Sequence, residues 1–343
     1  MDYTDFIMNK GNQDSFINSF EKDWQQRISK FPEPFNSNYQ LIKGSRMRPL
    51  LVAWGYFANV NSLNKLVIPR TLYDLCYSVE LLHKSSIIID DLIDNDTQRN
   101  GKDTFHHQFG NYEAILFSLF LIGTSFKTVS MLEDSDIQND LADTLIQMST
   151  GALSEISLQT ENIFDLRKIK KIVNQQTSSL IKSSYFLGYL HSQKNNVNIG
   201  EINNSIKKIG MMCGFLFQML NDLEPFSSIR KNQKHKGKVN FDIYNSRKNY
   251  VVSFLYGYAN RKDQATLISL LQMDNKEKSQ EILFNLLYKY KIEDKILKKS
   301  DKIQNELIFE INNLGNWIQN QYISEFSMFV NLMIDTSRHK LTK

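Results

Sequence analysis

The sequence predicts an all-α fold, and three observations support that prediction. Only 14 of the 343 residues are glycine and 5 are proline, so few residues would interrupt helices along this chain. Apolar residues recur at helical spacing through most of the chain, whereas the alternating patterns typical of strands are scarce. No linker and no short-period repeat divides the sequence. We therefore expect a single helical domain over residues 1–343, with a core at about 40–250 and C-terminal helices at 250–343.

Polar and proline-containing breaks separate the predicted helices. Pro32 and Pro34 end the first helix, and Pro49 suits the first turn of the next because that turn does not need its N–H. Residues 95–104 and 225–246 are predicted to be polar loops. The helices themselves are expected at residues 14–31, 48–57, 71–94, 112–132, 137–160, 165–192 and 200–223, and again from residue 250 onward.

Charge and composition exclude several classes of protein. The net charge is +4 and no dense basic face is visible, so nucleic-acid binding is not expected. Cys76 and Cys213 lie far apart in apolar stretches, which is typical of reduced cytosolic thiols and lacks metal-ligand spacing. The N-terminal residues lack the layout of a signal peptide, and the longest apolar segment, residues 114–126, is short for a membrane span. We expect a cytoplasmic protein with no transmembrane segment.

The stretch SSIIIDDLIDNDTQRNG, residues 85–101, ends an apolar helix in carboxylates. Asp90 and Asp94 are four residues apart, so a helix places them on one face, one turn from each other. Acidic residues at this end also oppose the helix dipole, where a cation is expected. A hard divalent ion resolves both conflicts, and we predict Mg²⁺, which keeps water and phosphate in its shell. Composition alone leaves open a simple helix end.

A second apolar helix ends in the same way, in FQMLNDLEPF at residues 217–226. If the two helix ends face each other across a cavity, they would hold metal ions between them. The loops that follow carry cations: Arg99 and Lys102 after the first helix, Lys238 and Arg247 after the second. Metals and cations at the mouth of an apolar, helix-walled cavity suit a diphosphate attached to a long hydrocarbon.

These segments resemble the motifs of the polyprenyl synthase family, the trans-prenyl diphosphate synthases. KGSRMRPLL at residues 43–51 resembles the GGKRxRP segment of that family. VELLHKSSIIIDDLIDNDTQRNGKDTFHHQFG at 79–110 resembles the first aspartate-rich motif with the Arg-Arg-Gly and threonine-histidine that follow it. FQMLNDLEPF occupies the place of the second aspartate-rich motif, and GKVNFDI at 237–243 that of the Gly-Lys segment. The four matches occur in the family's order and cover residues from about 40 to 250.

The resemblance implies an isoprenoid-synthase bundle of ten or more helices around a central cavity, usually as a homodimer. It also implies that three Mg²⁺ ions hold an allylic prenyl diphosphate, whose ionisation releases pyrophosphate and leaves an allyl cation. By resemblance, Asp90 and Asp94 bind two ions and Asp91 supports them, while Asn221 and Asp222 hold the third. The residues expected beside the allylic diphosphate are Arg99, Lys238, Arg247, Gln218 and Gln176.

The sequence departs from the family at the site of the second substrate, isopentenyl diphosphate, which elongating members bind through side-chain cations. Ser45 stands where the family has a lysine, and Asn100 stands where it has the second arginine of Arg-Arg-Gly. Arg48 and His83 are the residues of this site that remain. Each lost charge-assisted contact to phosphate costs about 1.5–3 kcal/mol, so we expect weaker binding. Arg46 and Lys102 are candidates for a replacement cation.

The second aspartate-rich motif also departs from the family. Asn221 takes the place of its first aspartate, and asparagine in this position is similar to what class I terpene synthases use. The serine and glutamate that complete the terpene-synthase pattern are absent, since their positions are Pro225 and Ile229. The third metal site is therefore altered without being plainly converted.

Together these features predict an enzyme that ionises an allylic prenyl diphosphate and has lost much of its isopentenyl site. The first expectation is a terpene synthase on this scaffold, or a prenyltransferase with an unusual acceptor. The alternative is an ordinary trans-prenyl diphosphate synthase, of the farnesyl or geranylgeranyl diphosphate synthase type, that tolerates the changes. A third is a non-catalytic subunit that regulates a partner synthase, against which the intact first aspartate-rich motif argues.

Ser85 and Ser86 precede Asp90 by about one turn, where bulk tends to set cavity depth in the family. Small side chains there favour a farnesyl- or geranylgeranyl-sized substrate. Plain helix packing explains the two serines equally well.

Overall fold

A computed structural model describes residues 10–57, 68–161, 164–192, 200–226 and 248–271, most of 273–318, and scattered positions from 323 to 338. The described segments are helical apart from one hairpin of two-residue strands, so the prediction of an all-α fold is confirmed. The predicted loop at 225–246 lies almost wholly outside the described residues.

The helices have the following bounds in chain order. They are α1 (Lys10–Ile28), α2 (Tyr39–Ile42), α3 (Met47–Phe57), α4 (Arg70–Asp94), α5 (Phe105–Phe109), α6 (Asn111–Ser130), α7 (Ser135–Thr160), α8 (Leu166–Val173), α9 (Ser179–Ser192), α10 (Gly200–Leu223), α11 (Tyr250–Tyr258), α12 (Arg261–Leu270), α13 (Lys276–Lys289) and α14 (Ile292–Asn313). One turn of π-helix, Asn174–Ser178, joins α8 to α9, and short 3₁₀ turns occupy Phe35–Ser37, Glu224–Phe226 and Leu314–Asn316. The strands are β1 (Gln98–Arg99) and β2 (Lys102–Asp103).

The chain divides into two compact units, and each is described by itself. Unit 1 comprises residues 1–145, 180–207 and 314–329, and unit 2 comprises residues 146–179, 208–313 and 330–343. The expectation of a single domain stays a prediction.

Unit 1 is built around α4, which packs against α6 and α3. Trp24 and Trp54, with at most 1% of their surface exposed, lie in its core. Helices α3 and α9 approach at backbone distance, because a Cβ on Gly188 would lie 1.8 Å from the Val52 carbonyl oxygen. That rigid packing fixes α3, which carries Arg48, relative to its neighbours.

In unit 2, α11 packs against α8 and α14. Helix α10 passes close to the π-helical turn, since a Cβ on Gly214 would lie 2.5 Å from Ser178 Cα. This close approach brings Gln218, one turn further along α10, beside Thr177.

Two sequence expectations concern burial and membranes. Both cysteines are buried and form no disulfide with each other, as the sequence predicts. Helix α6 is long and apolar enough to cross a membrane by length and composition alone, a property that core helices of soluble proteins also show. One side of α6 is buried through Ala114, Phe117 and Leu121. The expectation of no transmembrane segment stays a prediction.

Candidate active site

The carboxylates of the first motif lie where α4 ends. Asn95 has left-handed backbone angles of φ 52° and ψ 35°, which asparagine tolerates better than most residues. Its N–H and that of Asp96 both reach back to the Asp91 carbonyl oxygen, a pattern that closes the helix. Asp90 and Asp94 therefore stand on the last turns of α4, one turn apart, as the sequence predicts.

Arg99 returns to this helix end through a hairpin that the sequence analysis treated as a polar loop. β1 pairs with β2 in antiparallel fashion. The two residues between the strands, Asn100 and Gly101, have φ of 51° and 76°. Positive φ at both central residues is the type I′ turn that Asn-Gly favours, so the dipeptide was an available hairpin signal.

Asp91 points inward and is fully buried. Its Oδ1 accepts hydrogen bonds from Arg99 Nε at 2.8 Å and Nη2 at 2.6 Å, and its Oδ2 accepts one from Gln40 Nε2 at 2.7 Å. Burial works against the charge of Arg99, but the hydrogen bond and charge of Asp91 outweigh it and raise the pKa of Arg99. Both carboxylate oxygens of Asp91 are thus engaged in holding protein groups.

Gln40 is a site residue that sequence reasoning missed. It lies in the four-residue helix α2, which Asn38 caps by accepting from the N–H groups of Gln40 and Leu41. Its Oε1 accepts from Phe105 N at 3.2 Å, and its backbone oxygen accepts from Lys84 Nζ at 2.6 Å. A single glutamine between apolar residues carries no sequence signal for such a role.

The donor set at the end of α4 fits Mg²⁺. Asp90 is exposed and Asp94 half-exposed, while Asp91 is turned inward. Within the described segments, no three His, Cys, Asp or Glu side chains converge into a closed metal cage. Mg²⁺ is commonly held by one or two carboxylates, with water and phosphate oxygens completing its shell. Asp90 and Asp94 are the residues that would hold it.

Arg48 and His83 form a half-buried pair on α3 and α4. Arg48 Nη1 lies 2.9 Å from His83 Nε2, and because arginine only donates, His83 accepts in its neutral form. Burial, then the charges of Arg48 and Lys84, hold the pKa of His83 well below its ordinary value. Burial also lowers the pKa of Arg48 to about 10. Arg48 Nε and His83 Nδ1 are buried and have no hydrogen-bond partner among the described residues.

Arg46, one expected replacement cation, is committed to structural contacts. Its guanidinium is 3% exposed and pairs with Glu21 at 2.6 Å and Glu80 at 2.8 Å. It also donates to the Ile42 carbonyl and lies over the Trp24 ring. Moving it to a substrate would break its 2.8 Å ion pair with the buried carboxylate of Glu80, which is costly.

The other expected replacement, Lys102, is exposed in the hairpin. Its ammonium lies 6.0 Å from the centre of the Tyr39 ring. Ser45 and Asn100, which stand in place of family cations, are also exposed. No hydrogen bond among the described residues joins Lys102, Ser45 or Asn100 to Arg48 or His83.

Lys84 is a second site residue that sequence reasoning missed. Its ammonium is buried, donates to the carbonyls of Gln40 and Lys43 at 2.6 and 2.5 Å, and lies 3.7 Å from Glu80. A Cβ on Gly44 would lie only 2.9 Å from it, so it sits directly behind the Gly44–Ser45 turn. An ammonium has three donors, and the third has no hydrogen-bond partner in the described segments. Burial lowers the pKa of Lys84 to about 8.

Ser85 and Ser86 both bond to carbonyls of their own helix. Ser85 Oγ donates to Leu82 at 2.8 Å and Ser86 Oγ to His83 at 2.9 Å. Ser85 is buried and Ser86 half-buried. Their role in cavity depth stays a prediction.

In unit 2 the second motif forms a chain of hydrogen bonds. Thr177 Oγ1 donates to Gln218 Oε1 at 3.0 Å, and Gln218 Nε2 donates to Asp222 Oδ1 at 2.7 Å. Asp222 Oδ2 accepts from Tyr250 N at 3.1 Å. Thr177 belongs to the π-helical turn, an element frequent at functional sites. Asn221, beside Asp222, is half-buried.

Gln176, in the same turn, donates to Glu155 Oε2 at 2.8 Å. Gln176 and Gln218 therefore lie in one unit, near the second motif.

Lys248 is a third residue that sequence reasoning missed. Its buried ammonium donates to the carbonyls of Leu158, Gln159 and Glu161, where it closes the C-terminal end of α7. Its neighbour Arg247, and Lys238, lie outside the described residues. The two aspartate-rich motifs belong to different units, so their convergence on shared ions stays a prediction.

Comparisons with known proteins agree on one group. The model of the polyprenyl synthetase family matches residues 30–287. The short chain isoprenyl diphosphate synthase of Methanocaldococcus jannaschii is 24% identical over 246 residues, which are 69% of this chain and 71% of that protein.

Solved structures share the fold. The crystal structure of a geranylgeranyl pyrophosphate synthase has a TM-score of 0.79 at 16% identity, covering 96% of this chain and 99% of that chain. The polyprenyl synthase of Caulobacter crescentus CB15, in complex with calcium and isoprenyl diphosphate, has a TM-score of 0.76 at 13% identity, covering 94% and 95%.

Proposed function

Because this chain belongs to the polyprenyl synthetase family, we propose that it is a Mg²⁺-dependent prenyl diphosphate synthase that joins an allylic prenyl diphosphate to isopentenyl diphosphate. The family consists of prenyltransferases, and the expected isoprenoid-synthase fold is confirmed. The named relatives are isoprenyl and geranylgeranyl diphosphate synthases. These relatives favour an elongating synthase over the terpene synthase that the altered motifs suggest.

The observation that carries this proposal is the Arg48–His83 pair. Arg48 has a half-buried guanidinium whose described hydrogen bond goes to a neutral imidazole, not to a carboxylate. Its Nε is buried and has no hydrogen-bond partner among the described residues, which is unfavourable, so we infer that an anion completes the site. The diphosphate of isopentenyl diphosphate is the anion we propose.

Lys84 supplies the cation that Ser45 lacks. Its ammonium lies directly behind the Gly44–Ser45 turn and keeps one donor unused among the described residues. The charges of Lys84 and Arg48 both lower the pKa of His83, so two cations beside this imidazole favour an anion. In this proposal the isopentenyl site is rearranged rather than dismantled.

At the other substrate, Asp90 and Asp94 hold Mg²⁺ against the allylic diphosphate. The chemistry that the ion supplies there is neutralisation of charge on the departing pyrophosphate. Arg99, oriented by Asp91, adds a fixed cation to the same leaving group.

The bond changes balance without a further reactant. The C–O bond to the diphosphate breaks, and the double bond of isopentenyl diphosphate captures the allyl cation. Loss of one proton from the new cation then restores a double bond, with pyrophosphate as the second product.

A non-elongating enzyme is the second candidate, and the hairpin favours it. Asn100 adopts a left-handed conformation that disfavours an arginine, so the turn itself works against the second family arginine. Asn221 also removes one charge from the second metal motif. A terpene synthase or a prenyltransferase to another acceptor would need neither group.

We further propose that the enzyme is a cytoplasmic homodimer formed through α6. Tyr112, Leu116 and Leu119 are 81%, 66% and 59% exposed, and they follow one another at helical spacing with Ile115 and Phe120. Soluble proteins rarely leave such a contiguous apolar row uncovered. A second copy of the same helix would bury it.

The test is a product analysis with purified protein and Mg²⁺. Geranyl, farnesyl and geranylgeranyl diphosphate are each supplied with and without isopentenyl diphosphate. Longer diphosphates that form only with isopentenyl diphosphate support the proposal, with farnesyl or geranylgeranyl diphosphate expected as the preferred substrate or product. Hydrocarbons or alcohols formed without it would replace the proposal by the second candidate.

A further inference from the structure

The side chain of Gln40 is bonded at both ends of its amide although it is 7% exposed. Its Nε2 donates to Asp91 Oδ2 at 2.7 Å, and its Oε1 accepts from Phe105 N at 3.2 Å. The second bond fixes the orientation of the amide, because only the amide oxygen accepts from a backbone N–H. The amide nitrogen is thereby directed at Asp91.

Asp91 depends on this contact. Its carboxylate is fully buried, and Arg99 donates to Oδ1 alone. Gln40 is the described donor to Oδ2, so its removal would leave a buried carboxylate oxygen without a hydrogen bond. The carboxylate would then rotate toward other donors and take Arg99 with it.

Arg99 remains accessible to a substrate. Its side chain is 41% exposed although its Nε and Nη2 are bound to Asp91. A guanidinium held along one edge presents its remaining donors in a fixed direction, which is how arginine recognises phosphate. The direction is set by Asp91, and the position of Asp91 is set by Gln40.

We propose that Gln40 is a positioning residue for the allylic diphosphate, acting through Asp91 on Arg99. The proposal rests on the proposed function, since it takes Arg99 as a ligand of that diphosphate. Outer groups that hold ligating side chains in this way change affinity or activity by about 10- to 100-fold when they are removed.

The structure provides an internal control for the isopentenyl site. Lys84 is anchored on the backbone oxygen of Gln40, which every substitution retains. Changing the Gln40 side chain therefore leaves the anchor of Lys84 in place. We therefore expect the substitution to weaken binding of the allylic diphosphate and to leave binding of isopentenyl diphosphate unchanged.

A matched control residue, Gln108, bonds to the cap of the helix that carries Gln40. Gln108 accepts from Asn38 Nδ2 at 3.0 Å, and Asn38 caps the helix that carries Gln40. Gln108 is exposed and has no described contact with Asp91. Gln108→Leu thus removes an amide that bonds to the cap of this helix and leaves the Gln40–Asp91 and Arg99–Asp91 hydrogen bonds in place.

The experiment compares wild type, Gln40→Leu and Gln108→Leu. Calorimetry measures binding of inorganic pyrophosphate with Mg²⁺, steady-state kinetics gives KM for each substrate, and thermal unfolding reports the folded fraction. For Gln40→Leu we expect about tenfold weaker pyrophosphate binding and about tenfold higher KM for the allylic diphosphate. KM for isopentenyl diphosphate should stay within about twofold, as should all values for Gln108→Leu.

Two failures are distinguishable. If the wild type does not bind pyrophosphate with Mg²⁺, the proposed function fails. If the wild type binds it and folded Gln40→Leu binds equally well, the role of Gln40 is overturned, even where its melting temperature falls. A parallel rise in both KM values would also overturn it, because it would indicate general damage.

Discussion

Arg48 Nη1 donates to His83 Nε2 across 2.9 Å, from the first turn of α3 to the middle of α4. The bond fixes the tautomer of the histidine, because a donor-only guanidinium demands an acceptor. The proton on His83 is then left on Nδ1, which has no partner in the described part of the chain. Arg48 Nε and His83 Nδ1 are therefore two buried donors that have no hydrogen-bond partner in the described residues.

The first prediction concerns the carboxylates of α4. Asp90→Ala or Asp94→Ala should abolish turnover, because each removes an oxygen ligand that Mg²⁺ needs beside the diphosphate. Product formation is measured at saturating substrate over a range of Mg²⁺ concentrations.

Asp103→Ala is the control for this pair. Asp103 is an exposed carboxylate in the neighbouring hairpin, and it should keep wild-type activity. Retained turnover in purified Asp90→Ala would refute the metal assignment.

The second prediction moves a cation from position 84 to position 45. Lys84→Met should raise KM for isopentenyl diphosphate by about tenfold, the cost of one charge-assisted contact. Adding Ser45→Lys to that variant should restore most of the affinity, because the new ammonium emerges from the turn that covers Lys84. The KM values of the single and the double variant are compared with that of the control Lys43→Met.

Lys43 is exposed and contacts Lys84 only through its backbone oxygen, so its side chain should be dispensable. Absence of rescue in the double variant would show that Lys84 only supports the conformation of the Gly44–Ser45 segment.

Ser45→Lys with Asn100→Arg in the wild type should also strengthen isopentenyl diphosphate binding. The gain should come mainly from position 45, because the left-handed Asn100 penalises arginine.

The third prediction is a pH dependence. Burial lowers the pKa of Lys84 to about 8, while Glu80 and Glu21 oppose the shift and Arg46 and Arg48 reinforce it. Raising the pH through 8 removes the proton and weakens diphosphate binding. KM for isopentenyl diphosphate should therefore rise about tenfold from pH 7 to pH 9.

The lowered pKa of Lys84 also affects the stability of the fold. As the pH rises, this effect increases stability, whereas substrate binding weakens. The unfolded chain keeps this proton up to its ordinary pKa of 10.5, so between about pH 8 and 10.5 the unfolded state binds more protons. The contribution of Lys84 to stability thus rises with pH in that window. Lys84→Met should flatten the KM profile, and an unchanged profile would contradict the assignment.

The fourth prediction concerns the apolar row on α6. Leu116→Lys with Leu119→Lys should convert the dimer to a monomer, because charge on this face cannot be buried without a partner. Sedimentation or light scattering gives the mass. Phe309→Lys, which changes an apolar side chain that is 64% exposed on α14, should leave the mass unchanged. A double variant that remains dimeric would place the interface elsewhere.

The sequence predicted the site's framework well because that framework is local. Helix α4 was expected at 71–94 and is found at Arg70–Asp94, and α10 was expected at its observed bounds, Gly200–Leu223. Each is fixed by apolar periodicity and by a polar break at its end. The placement of Asp90 and Asp94 on one face follows from helix geometry alone.

Residues whose role depends on tertiary contacts were not predictable. Gln40 and Lys84 are more than forty residues apart in the sequence, and no local pattern around either residue predicts their hydrogen bond. Lys248 similarly reaches carbonyls about ninety positions earlier. The hairpin that returns Arg99 is different, since its Asn-Gly turn was present in the sequence and was read as a plain loop.

The central claim, that this chain still binds a second phosphorylated substrate, is tested most directly by calorimetric titration of isopentenyl diphosphate without Mg²⁺. The account predicts saturable binding to the wild type and to Arg167→Met, a control at an arginine whose side chain is 94% exposed. Arg48→Met should bind at least about tenfold more weakly, since it removes the guanidinium that the diphosphate would contact. No binding to the wild type, or equal binding to Arg48→Met, would contradict the account.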